Sequence, residues 1–226
     1  LGIAMGNGSG ATRAVAQLVL LDSKWSVLPT VVAEGRRVLG NIERVSDVFL
    51  TKSVYSTVIS VLTGVFAVVF PFLPRHLSLV SALTIGIPGF FLALMPNKER
   101  FRPGFFRRVL AFAIPAGIIA AASAWTSDAV ALWGSEPVLN AQKAATVSLF
   151  IVATGVLAIS ARPLNLVRWG IIGLMVVSFA AVIYIPPLSE FFALSLSPEP
   201  YSLVAIAVGL AGAVAVWGAG LVADRW

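Results

Sequence analysis

The sequence predicts a mostly α protein: a six-helix transmembrane bundle preceded by a short α/β piece. Three observations carry that expectation. Of 226 residues, 58% are hydrophobic and only 12% charged, with mean hydropathy +0.94, whereas soluble domains carry about 25% charged residues. The apolar residues fall into six stretches, each near the length a helix needs to cross the hydrocarbon of a bilayer. The basic residues gather on alternate connections between those stretches.

Residues 1–46 are the one part that resembles soluble protein. Leu1–Met5 is a short apolar run ending in Gly6-Asn7-Gly8-Ser9-Gly10, which reads as a strand and a tight turn. Ala11–Gln17 holds helix formers, and Leu18–Leu21 is a second apolar run closed by Asp22-Ser23. Strand, helix and strand suggest part of an α/β domain, since so few residues cannot close a core. The glycines invite a nucleotide-binding reading, but Gly-x-Gly-x-Gly is not the dinucleotide fingerprint. A strand-to-helix turn with a glycine at positive φ is the simpler account. The chain starts at Leu1, with no signal peptide, and is read as a fragment.

Residues 31–47 mix Val31, Val38, Ile42 and Val45 with Glu34, Arg36, Arg37, Glu43, Arg44 and Asp47. That pattern predicts an amphipathic helix leading into the membrane. The spans expected within 48–226 are 48–72, 77–95, 109–127, 144–160, 169–185 and 201–222. Pro115 predicts a kink in the third.

Six spans place Arg36, Arg37, Arg44, Lys52, Lys98, Arg100, Arg102, Arg107, Arg108, Arg162, Arg168 and Arg225 on one side, and Arg75 and Lys143 on the other. The positive-inside rule makes the first side, with both chain ends, cytoplasmic. Asp128, Glu136, Glu190, Glu199 and His76 fall in outer loops on this count. The same asymmetry accounts for the net charge of +6 without a nucleic-acid partner. The absence of cysteine excludes disulfides, thiolate metal sites and cysteine nucleophiles. One histidine makes neither a metal site nor a triad, and no catalytic constellation is present in the sequence.

Thr84-Ile85-Gly86-Ile87-Pro88-Gly89 lies in the middle of the second span. Pro88 offers no amide hydrogen and clashes with the turn before it, so the helix is expected to break there. Carbonyls freed in this way need a polar partner, and a dehydrated cation, water or a neighbouring helix would each serve. Ser53, Ser56, Thr57 and Ser60 share one face of the first span at i, i+3, i+4 and i+7. Ser78, Ser81 and Thr84 recur at every third residue of the second. The two stripes either line one cavity or pack helices together. Lys52 reads as a side chain reaching back to the cytoplasmic interface. No Asp or Glu lies in the core of any expected span.

These motifs together resemble the P-type ATPases. Gly2-Ile3-Ala4-Met5-Gly6, a short helix and Leu18-Val19-Leu20-Leu21-Asp22 resemble the end of the phosphorylation domain. Glu34-Gly35-Arg36-Arg37 with Asn41-Ile42 resembles the linker entering the fifth membrane helix. Thr84-Ile85-Gly86-Ile87-Pro88 stands where the sixth helix unwinds, and the run Leu83–Asn97 is most similar to bacterial calcium and other cation pumps. The match is specific over about residues 1–105.

The resemblance implies that residues 1–30 are the remnant of a cytoplasmic phosphorylation domain, 31–47 the linker helix and 48–226 membrane helices five to ten. It implies cation ligands at Ser53, Ser56, Ser81, Thr84 and Ile85, with Gly86 and Ile87 before the break at Pro88. Calcium pumps have an aspartate where Ile85 stands. The implied function is the membrane part of an ATP-driven cation pump of the plasma membrane, calcium favoured. Its partners would be the lipid bilayer, the transported cation and the N-terminal part of the same pump. ATP and Mg would act in that missing part, so the fragment alone would be inactive. An ATP-independent secondary transporter or channel is the alternative, and a non-catalytic or truncated product a third.

Overall fold

The computed structural model describes residues 1–95, 104–195 and 200–223. Lys98, Arg100, Arg102, Glu199 and Arg225 of the charge count lie outside the described residues. The chain divides into two units between Gly40 and Asn41.

In the first unit, β1 (Ile3–Met5), α1 (Gly10–Val15) and β2 (Leu18–Leu20) form the expected strand–helix–strand piece. The strands are parallel, with Ile3 opposite Leu18 and Met5 opposite Leu20, which requires the crossover that α1 supplies. Ser9 caps α1 by accepting from the Thr12 amide at 3.2 Å, satisfying one of the orphan donors of a helix start. Gly6 corrects one expectation, because none of Gly6, Gly8 and Gly10 has a positive φ. A Cβ on Gly6 would instead stand 2.3 Å from the Leu21 carbonyl oxygen, so close approach of the backbones demands the glycine. After a 3-10 turn at Trp25–Val27, α2 (Leu28–Phe66) begins. Its part in this unit is largely exposed, Val31, Val32, Val38 and Leu39 included, with an ion pair between Glu34 and Arg37.

The second unit holds the rest of α2. Linker and first span are thus one continuous helix of 39 residues, about 58 Å long at 1.5 Å per residue. It ends at Phe66 instead of residue 72. Ala67 turns left-handed at φ 51°, and the Val68 amide donates to the Thr63 carbonyl at 3.3 Å, the bond that closes a Schellman cap.

The second span comprises α3 (Pro74–Ser81), a π turn over Ala82–Gly86 and α4 (Ile87–Leu94). The third and fourth are α5 (Phe105–Trp133) and α6 (Val138–Ser160). α7 (Leu166–Tyr184) is followed by a short α8 (Pro186–Phe192), and α9 (Pro200–Ala223) is the last. Among the described residues, six helices are long and apolar enough to cross a membrane, the number the sequence predicts. α5 runs through Pro115 without interruption.

α5 and α6 are longer than expected and take in Asp128 and Lys143, which therefore lie within helices and not in outer loops. Apolar residues continue past Asp128 to Trp133. Lys143 is accommodated because its Nζ donates to Asn140 Oδ1 at 3.3 Å and Ser195 Oγ at 3.2 Å. His76 is likewise not in a loop. It is fully buried in α3, with Nδ1 at 3.0 Å from Thr146 Oγ1. Glu190 sits in α8, a helix that starts with Pro186 and Pro187, residues suited to a first turn.

α6 is the most buried helix and packs against both α5 and α9. Small residues let the backbones approach. A Cβ on Gly212 of α9 would fall 2.3 Å from Ser123 Oγ and 2.7 Å from Val152 Cγ2, and Gly155 of α6 faces Ala213. In a bilayer such dispersion contacts replace the hydrophobic drive. Phe150 of α6 and Phe179 of α7 stack face to face, ring centroids 3.7 Å apart.

Candidate functional site

Pro88 does not break the second span, which corrects the expectation of an unwound segment. The Ile87 amide donates to the Ala82 carbonyl, five residues back, in place of four. The turn is widened and the backbone stays helical at Gly86 and Ile87. The physical reason is that Pro88 has neither the amide hydrogen nor the space for a regular α turn. One added residue in the turn relieves the clash, and such π turns recur at functional positions.

Thr84 and Ile85 lie on the inner side of this turn and are buried. They face a narrow cleft closed by Val45, Val48 and Phe49 of α2, Gly89 and Leu92 of α4, Leu157 of α6, and the guanidinium-bearing Arg44. The cleft has room for a water-sized guest. Thr84 Oγ1 donates to the Val80 carbonyl at 2.7 Å, which leaves its lone pairs available. Ser81 Oγ is buried and has no hydrogen-bond partner. Pro88 is buried beside them, whereas Gly86 and Ile87 are exposed. Ile85 contributes no side-chain oxygen, so only its carbonyl is a candidate donor.

The hydroxyl stripe on α2 does not join this group. Ser53, Thr57 and Ser60 are exposed and Ser56 is half-buried. Ser53 Oγ donates to the Phe49 carbonyl of its own helix at 3.1 Å. Ser78 is also exposed and donates to the Pro74 carbonyl at 3.1 Å. Lys52 is half-buried. The structure thus brings Thr84, Ile85 and Pro88 together and leaves Ser53 and Ser56 out of the lining of their cleft.

One turn of α2 was not legible as a site. Asn41 Nδ2 donates to the carbonyls of Ala93 at 2.7 Å and Met95 at 3.1 Å, meeting the bare carbonyls at the end of α4. Glu43 receives both Nε and Nη2 of Arg108 from α5, at 2.9 and 3.2 Å. Arg44, buried, donates to Asn41 Oδ1 and to the Arg162 carbonyl after α6, each at 3.1 Å. Arg168 binds the neighbouring carbonyls of Ala161, at 3.0 Å, and Pro163. Most of these acceptors are backbone carbonyls, which have no signature in sequence. The available signal was a cluster of polar residues immediately before an apolar run.

No protein-family model matches the chain. It is 42% identical over 230 residues to the calcium-transporting ATPase CtpE of Mycolicibacterium smegmatis, a match that covers 96% of this chain and 29% of that protein. The protein of that name from Mycobacterium tuberculosis is 39% identical with the same coverage. A probable cation-transporting ATPase, exp7, of Streptococcus pneumoniae is 32% identical over 125 residues, 52% of this chain and 16% of that protein. The chain therefore spans less than a third of the length of these relatives. Likeness of this extent along almost every part of the chain, together with its six apolar helices, means that it belongs to the P-type ATPase family.

Proposed function

We propose that the chain forms part of the membrane transport domain of an ATP-driven cation pump, with calcium the favoured ion. The observation that carries this reading is the widened turn before Pro88, with Thr84 buried on it and Ser81 Oγ lacking a partner beside it. The names of the relatives support calcium and cation transport. Neutral oxygens suit a hard cation, and calcium takes about six to eight of them.

In this reading the Ser81 and Thr84 hydroxyls and the carbonyls of Ile85, Gly86 and Ile87 supply one part of the coordination shell. Ser53 and Ser56, on a separate face, would serve as oxygen donors of a second position that elements outside this chain would cover. A carboxylate from those elements would balance the charge, since Ile85 brings none. The sequence holds no Asp-Lys-Thr-Gly-Thr loop, so ATP and Mg act outside these residues and the chain alone turns over no ATP. The chain is multi-pass in the plasma membrane with both of its ends cytoplasmic, as the placement of its basic residues supports.

The test is cation-stimulated ATPase activity of the full-length pump carrying Thr84→Ala and Ser81→Ala together. The expected result is a rise in the half-saturating cation concentration. An unchanged cation dependence overturns the assignment of these ligands.

A further inference from the structure

We infer that the end of the bundle remote from the linker is an acid-sensitive clasp, in which a proton taken up by His76 frees the turn before α3 and the segment after α8 from the first turns of α6. The inference goes beyond the pump reading above and does not depend on it.

Gln142, Lys143 and Thr146 lie within about one turn of α6, and all three are buried. Gln142 Nε2 donates to the Phe70 carbonyl at 3.0 Å. Thr146 Oγ1 meets His76 Nδ1 at 3.0 Å, and Lys143 Nζ donates to Ser195 Oγ at 3.2 Å. Arg75 of α3 adds a bond to the Phe191 carbonyl at 2.8 Å. Residues 70–76 and 191–195 are thus fastened to one turn of α6 and to each other. The second segment is held under strain, since Ala193 is left-handed at φ 49°, a conformation that a residue with a Cβ resists.

His76 is the member of this clasp that can change its role. Its Nδ1 also accepts from the Leu73 amide at 3.4 Å, reaching back over the start of α3 as the third residue of a capping box does. Accepting that hydrogen requires a bare lone pair on Nδ1, so the clasp is built on the neutral ring with its hydrogen at Nε2. A proton on Nδ1 turns the acceptor into a donor and leaves the Leu73 amide without its partner. The ring is fully buried and Nε2 has no hydrogen-bond partner, so nothing there offsets the new charge. α3 packs against α6, α8 and the π turn. The ionisable groups of these elements at this end are Arg75 on α3 itself, Lys143 on α6 and the exposed Glu190 on α8. Glu136, just before α6, is engaged by Asn140 Nδ2 at 2.8 Å, and the π turn carries none. The two cations, Arg75 and Lys143, both act on the ring, so a charged His76 has to leave its place and take the start of α3 with it.

Amide exchange of the full-length protein in lipid nanodiscs reads the clasp, followed by mass spectrometry over residues 68–79 and 189–195 and corrected for the intrinsic rate at each pH. Protection of both segments is expected to drop several-fold, and together, as the pH falls from about 8 to about 5, the interval in which histidine titrates. The buried middle of α6, residues 147–157, is expected to stay protected. His76→Gln keeps an acceptor for Leu73 and a donor for Thr146 but takes up no proton, so its protection is expected to be the same at both ends of that interval. Lys143→Gln removes a like charge and keeps a donor for Ser195, so the drop is expected at higher pH. No drop in the wild type overturns the inference. So does a drop that persists in His76→Gln, which would assign it to Glu136 or Glu190. Should His76→Gln fail to fold, Lys143→Gln decides: a drop at higher pH supports the clasp, and one at the same or lower pH counts against it. The readout needs no turnover, so a full-length protein without cation-stimulated ATPase would sink the function proposed above and leave this result standing.

Discussion

Gly212 offers a measure of how tightly the bundle is packed. Replacing it by alanine adds one methyl group that meets Ser123 Oγ at 2.3 Å and Val152 Cγ2 at 2.7 Å. Both distances are far inside contact, so α9 must move or two side chains must leave their rotamers. Overpacking of this kind costs about 1–3 kcal/mol. Helix propensity works the other way, by about 1 kcal/mol for glycine to alanine. Gly218, on the same helix, isolates that second effect, because a Cβ there meets nothing within 4 Å. Gly218→Ala should therefore stabilise, and Gly212→Ala should fall below it by about 1–3 kcal/mol. Unfolding free energies of the chain in bicelles, measured by steric trapping, give the comparison. Ser123→Ala on the Gly212→Ala background should recover part of the loss, since it removes the nearer contact and leaves Val152. If Gly212→Ala proves as stable as Gly218→Ala, the close approach of α9 to α5 and α6 described above is wrong.

Three further outcomes are expected. Gly6→Ala should undo the pairing of β1 with β2, because the Leu21 carbonyl that its Cβ would strike is backbone and cannot yield; amide exchange over residues 1–22 should accelerate, and unchanged protection would refute this. Phe179→Leu should cost about 1 kcal/mol beyond lost contact area, the usual worth of a stacked pair, with Phe150→Leu on top adding far less than a second full penalty in a double-mutant cycle. Thr84→Ser should keep cation dependence in the full-length pump and Thr84→Val should weaken it, since only the serine retains the oxygen. Equal behaviour of the two variants would remove Thr84 from the ligand set.

Hydrophobic run length was enough to find the six spans, because each must satisfy its backbone within the bilayer and has few alternatives. Pro88 was legible as a disturbance, but a missing amide does not say whether the helix unwinds or widens. The neighbours decide that, and here they bury Thr84 and Leu92 on either side. The spacing of Ser53, Ser56, Thr57 and Ser60 correctly indicated one face, yet spacing is blind to which way a face looks. His76 and Lys143 fell just outside the expected spans 77–95 and 144–160 because a polar residue at the edge of an apolar run reads as its end. Each is held inside by a partner far away in sequence, Thr146 and Ser195. Asn41 and Arg44 were seen only as the polar side of an amphipathic helix, for the same reason.

The widened turn also explains how the second span keeps its orientation. His76, Val80, Thr84, Pro88 and Leu92 are all buried, at a strict interval of four. A regular α-helix advances about 40° with every four residues, so Leu92 would sit about 160° around the axis from His76 and look outward. One additional residue in a single turn subtracts about 100° of that drift, so that the two ends stand only about 60° apart and on one side of the helix. Straightening that turn into a regular α-helix with all its residues kept would therefore rotate everything beyond Pro88 by about 100° and carry Leu92 toward lipid, whereas deleting one residue between Ala82 and Gly86 would remove the extra residue and leave the phase as it is.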